Sequence, residues 1–212
     1  MPFRHKRSWQ ALSIEIGLPG RRRIGWTPVC KSNDGQDWDI QRLIKEELAQ
    51  PIVGAACGGT HRMTGFSYAV NRRQQRNEPF TGQWLRAKKF VEDFHEYTFR
   101  LQNPDGSFST DWFAGRADNG PPTRRLETTG HITEWLAFSL NKQQLVEPRA
   151  IKSVSYLTNL LIEHRDEKWG IGPLGHGLHA LAMYDERIFG GQPGTRAVEL
   201  AEARKVRKAT ER

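Results

Sequence analysis

Residues 174–184 read LGHGLHALAMY, eleven positions without a single Lys, Arg, Asp or Glu. A helix that is small or apolar all round belongs where it is covered on most sides. This stretch has two companions. Residues 129–140, TGHITEWLAFSL, carry Glu134 as their only acid, and residues 59–70, GTHRMTGFSYAV, open in the same way. Each sets a small residue or a threonine beside a histidine (His61, His131, His176) and then turns apolar. The spacing predicts three buried helices with those histidines in their first turns, the first of them capped by Thr60.

Between these lie helices of another kind. Residues 39–49 place Ile40, Leu43, Ile44 and Leu48 on one stripe, with Asp37 or Asp39 as N-cap and Pro51 as the stop. Residues 84–101 put Ala87, Phe90, Val91, Phe94, Tyr97, Thr98 and Leu101 on one face and charged side chains on the other. In PRAIKSVSYLTNLLIEH, residues 148–164, the inward set is Ala150, Val154, Leu157, Leu160 and Leu161. Buried and one-sided helices therefore alternate, and no segment reads as a strand. The expectation is an all-α chain with an irregular basic segment at 1–36, a helical-hairpin domain at 37–190, and a polar basic tail at 191–212, helical over 196–210.

The connection after Leu101 is long, through NPDGSFSTDWFAGRADNGPPTRR, which marks it as either functional or partly disordered. Its Asp105-Gly106 pair reads as a turn. The preceding helix ends in LQNPDGSF, residues 101–108, whose Q-x-x-D-G-S-aromatic pattern resembles the second half of the repeat of squalene and hopene cyclases. RAIKSVSYL, residues 149–157, resembles the first half. Together with the helix alternation, over about residues 39–189, the chain resembles the α/α-toroid superfamily of terpenoid cyclases and protein prenyltransferases. That resemblance implies an α/α-toroid. About three hairpins, against the family's five or six, imply an incomplete one, completed by a second copy or by the rest of a larger protein. The family's acidic D-x-D-D motif is absent, and the Asp37/Asp39 pair does not replace it.

The formal charge of +8 comes from the ends. Residues 1–25 hold six Lys/Arg against one Glu, residues 193–212 six against three, and the body between is balanced. A specific nucleic-acid binder carries its basic footprint on the folded body, so that class is set aside. No apolar run approaches the ~18 residues of a membrane span. Two cysteines, Cys30 and Cys57, make no disulfide framework, and a cytoplasmic, reducing location is the default.

The candidate chemistry gathers on the histidines. If the buried helices run parallel, His61, His131 and His176 emerge at one mouth as neutral imidazoles at helix N-termini, suited to general-base work or metal ligation. His131 and Glu134 are three residues apart on one helix face, as are His176 and His179. Cys57 adds a thiolate, so a zinc-type set would be Cys57, His61, His131 and His176. The bland alternative is packing and capping at equivalent repeat positions. The long loop brings Asp111 as a further catalytic candidate and Trp112, Phe113 and Arg116, with His179, as binding candidates; exposed aromatics beside a carboxylate suit a glycan site. Trp112 and Phe113 would alternatively tack the loop down, and Trp135, Tyr68 and Tyr184 are expected in the core. No nucleophile elbow, P-loop or dinucleotide fingerprint is present. Two functions stay open: a binding or scaffold module working through a concave face, and a toroid-type enzyme with a histidine-lined mouth.

Overall fold

A computed structural model of the chain describes residues 29–192 and 194–210; the rest of the irregular basic segment, residues 1–28, lies outside the described residues. The chain is mostly helical. One short ladder stands beside the helices: β1 (Cys30–Lys31) pairs antiparallel with β2 (Asp37–Trp38). It closes the SNDGQ turn, in which Gly35 takes φ 78° and its N–H donates to Ser32 O. The expectation of no strand is corrected to that extent.

The described residues form two compact units. The first runs to Leu101 and takes in Asp111–Gly115. It holds α1 (Ile40–Leu48), α2 (Thr60–Gln75) and α3 (Gly82–Arg100). Asp39 caps α1 by accepting from Arg42 N at 2.7 Å. Arg62 ties α2 back to α1 through Glu47 at 2.8 Å and the Pro51 carbonyl at 2.7 Å. Ile44, Met63, Phe66, Ala87 and Val91 are buried at the meeting of the three helices. An aromatic ladder extends this core: Phe66 meets Phe90, Phe90 meets Phe94, and Phe94 meets Phe113 edge-on at 5.5 Å.

Thr60 does not cap α2. Gly59 does so at φ 82°, while the Thr60 hydroxyl donates to Cys57 O at 2.8 Å. Cys57, Gly58 and Gly59 all have left-handed backbone, a reversal too tight for ordinary L-residues throughout. That geometry, rather than a hydroxyl, starts the helix.

The second unit comprises Gln102–Thr110 and the chain from Arg116 onward. Its helices are α4 (Pro122–Ser139), a one-turn α5 (Lys142–Leu145), α6 (Pro148–Glu163), α7 (Ile171–Phe189) and α8 (Thr195–Thr210). Residues 102–110 are ordered and largely buried, contrary to the idea of a loose loop. Gln102 Nε2 donates to Gly106 O and, at 2.9 Å, to Arg149 O on α6. Asn103 holds Ser107 Oγ and Ala117 O, and Asp105 accepts from Ser107 N and Oγ. Gly106, at φ 97°, lies so close to α6 that a Cβ there would fall 2.4 Å from Lys152 O.

Two helix starts differ from the sequence reading. α4 begins at Pro122, inside the expected loop, because a proline at the first helical position gives up no hydrogen bond and brings the right φ. His131 is thus in mid-helix, and His176 is one and a half turns into α7. The positive-dipole argument applies to His61 alone. The third helix is also less covered than its composition predicts. Only Gly177 and Ala180 of α7 are fully buried, and Ile171 is 91% exposed. No described helix is long and apolar enough to cross a membrane.

Candidate active site

The site of the second unit begins with two glycines. Where α4 crosses α7, a Cβ on Gly130 would fall 3.2 Å from the Gly177 backbone, and one on Gly177 would fall 2.9 Å from Leu126 Cδ1. The two backbones nearly touch. The helix turns that flank the two glycines are therefore held face to face, and they carry His131 and Glu134 on α4 and His176 and His179 on α7.

Glu134 joins them. Its Oε2 accepts from His176 Nδ1 at 2.6 Å and its Oε1 from His179 Nδ1 at 2.5 Å. Burial alone would raise the Glu134 pKa, but the two imidazole donors outweigh it and bring it down to about 2. The same hydrogen bond raises the pKa of His179 against a smaller opposing effect of burial. Because each ring gives its Nδ1–H to the carboxylate, each neutral ring carries its lone pair on Nε2. His131 directs Nδ1 to Glu127 O at 2.7 Å and stacks on His176 with 3.7 Å between ring centroids. His131 is 4% exposed, whereas the His179 side chain is 61% exposed. One imidazole of the group faces solvent.

Of the residues expected to act, the structure brings His131, His176, Glu134 and His179 into one group. The expected zinc-type set divides between the units, with Cys57 and His61 in the first and His131 and His176 in the second. Within the first unit, Cys57 Sγ and a ring nitrogen of His61 are within 4.8 Å of each other. Phe113 is 1% exposed and offers no face to a ligand; Tyr97 Oη donates to its carbonyl at 2.9 Å. Trp112 takes φ 56° and lies against Gly58, where a Cβ would fall 2.2 Å from its ring. These two aromatics fasten the loop, and the glycan-type platform expected of them is corrected accordingly. Asp111 and Arg116 are exposed, in the first and second units respectively. Trp135 is fully buried, as its core assignment requires, and Tyr68 and Tyr184 are half-buried.

Sequence reasoning paired each histidine with a neighbour on its own helix and missed the pairing across helices. The available signal was the repeated Gly-His: Gly130-His131 and Gly175-His176-Gly177 mark a close crossing flanked by imidazoles. Compared with known proteins, the chain matches no family model, no curated protein and no solved structure.

Proposed function

We propose that the chain is a helical-hairpin enzyme of α/α-toroid type whose second unit performs general acid–base chemistry through His179. The observation that carries this reading is one half-buried carboxylate accepting Nδ1–H from two histidines three apart on one helix. Glu134 is the positioning residue: it selects the tautomer, orients the ring and steadies the imidazolium. His179 is the catalytic residue because it is the solvent-facing member. The Glu134 hydrogen bond raises its pKa and so favours the protonated ring as proton donor; the deprotonated ring is the matching base. Contact between the two repeat-like stretches, Gln102 to Arg149 and Gly106 against Lys152, supports the toroid frame. The resemblance gives prenyl, terpenoid or glycan substrates as the class.

The test is a turnover screen with prenyl diphosphates and p-nitrophenyl glycosides, esters and phosphates on wild type and H179A. General acid–base catalysis contributes about 10²–10⁴-fold, so H179A should lose activity on that scale. E134Q should lower kcat more than it alters KM and move the pH profile. Turnover that is the same in wild type and H179A, or absent throughout, overturns the reading.

A second reading, a binding or scaffold module, is favoured by one specific feature. Ile171, Leu178 and Phe189 are exposed on a single stripe of α7, with Gly175 and Ala182 between them. A second copy of the chain is the partner it would take. Light scattering of wild type against L178E reads this, with a dimer lost in the variant as the supporting result.

A further inference from the structure

We propose that the cleft where the Asp105 turn meets α4 and α6 binds a sugar acid, a polyol carrying a single carboxylate. The cleft lies wholly within the second unit and shares no residue with the Glu134 group. Its volume, about 500 Å³, is in the range of small-molecule sites.

One close approach builds the charged end. Gly106 has no Cβ to strike Lys152 O, so the Asp105-Gly106 turn lies directly on α6. Asp105, Arg125 of α4 and Lys152 of α6 thereby line one cavity. Arg125 is fixed by its own loop: Nε donates to Gly120 O at 3.4 Å and Nη2 to Asp118 O. Its Nη1 is left 3.7 Å from Asp105 Oδ2, close enough for an ion pair and too far for a hydrogen bond. The other oxygen of Asp105 is engaged by Ser107 N and Oγ. Lys152 is exposed and has no ion-pair partner among the described residues. Two cations against one carboxylate leave a single positive charge, with Arg125 Nη1 and Lys152 Nζ as donors. That set matches the two oxygens and one negative charge of a ligand carboxylate.

The rest of the wall selects what the carboxylate is attached to. Ser155, Tyr156 and Asn159 share a face of α6 with Lys152 and line the same cleft. Ser155 and Asn159 make no side-chain hydrogen bond among the described residues, and Tyr156 is anchored by packing on the core around Leu126 and Leu157. Neutral donors and acceptors beside an aromatic ring suit hydroxyls on a carbon chain. Glu163 lines the far end, about 16 Å from Lys152 along the helix axis. Its charge accepts from a hydroxyl and repels a second acid group. The cleft therefore takes a monoacid rather than a diacid.

Titrations of the full chain with gluconate, glucarate, glucose and acetate, followed in ¹⁵N–¹H spectra, separate these contributions. Gluconate should saturate and shift the amides of Lys152, Ser155 and Asn159. It should bind about tenfold tighter than glucose, which lacks the charge-assisted hydrogen bonds, and tighter than acetate or glucarate. K152Q, at an exposed position, should weaken gluconate about tenfold for the same reason and leave glucose unchanged. N159A should weaken gluconate and leave acetate unchanged. Any of four results overturns the proposal: no saturable shift with gluconate, acetate or glucose binding as tightly as gluconate, glucarate doing so, or gluconate affinity unmoved in a folded K152Q.

Discussion

At the scale of the residue, Glu134 matters most. It is 20% exposed and accepts from two rings at once, so its carboxylate is worth more folded than unfolded. Its depressed pKa gives stability that is present above the ordinary carboxylate value, near 4.5, and is lost as pH falls towards 2. His179 behaves in the opposite sense: its raised pKa contributes below 6.5 and is lost as pH climbs through the raised value. The group is therefore strongest at about pH 5–6. E134Q should lower stability by about 2 kcal/mol in that window, the worth of a hydrogen bond to a charged group. The difference from wild type should shrink below about pH 3, as read by urea unfolding at each pH. A gap of constant size from pH 2 to 7 would mean that the carboxylate charge is not involved. In imidazole ¹⁵N spectra, wild type should show His179 as the Nδ1–H tautomer above its pKa, and E134Q a mixture.

At the scale of the element, two close approaches decide the second unit. At Gly106, φ 97° and the nearby Lys152 carbonyl act together, so G106A meets backbone strain and a clash at once. A loss of about 1–3 kcal/mol is expected, read as a lower urea midpoint with unchanged slope. At the α4–α7 crossing, G130V must push the two backbones apart. About 1–3 kcal/mol of overpacking should appear, together with loss of the His179 tautomer signature, because the crossing sets the reach of Glu134. G172A is the control: a Cβ there meets nothing within 4 Å, and it should leave both readouts unchanged.

At the scale of the whole molecule, the balanced body and the basic ends are separate matters. Every described side chain of α8 is exposed except Arg196, which lies over the Phe189 ring. Removing residues 194–212 takes away three net positive charges and almost no burial. The melting temperature should therefore stay within about 2 °C of the full chain, with weaker retention on a cation exchanger. A fall of 10 °C would show that this segment supports the fold.

What the sequence by itself determined is the helical character and the order of elements. The periodicity of residues 39–49, 84–101 and 148–164 placed α1, α3 and α6 almost to the residue, since a one-sided stripe records which face is buried. The Asp105-Gly106 turn and the Asp39 cap were legible because each depends on neighbours two or three positions away. Composition also marked α7 as small and apolar, yet it could not say that one face of that helix stays exposed. Only the tertiary structure put Glu134 between His176 and His179, seated Phe113 under the Phe94 ladder, and began α4 at Pro122. Such outcomes depend on which backbones can approach one another. That is set by glycines meeting in space, 47 positions apart at Gly130 and Gly177, and no local pattern carries it.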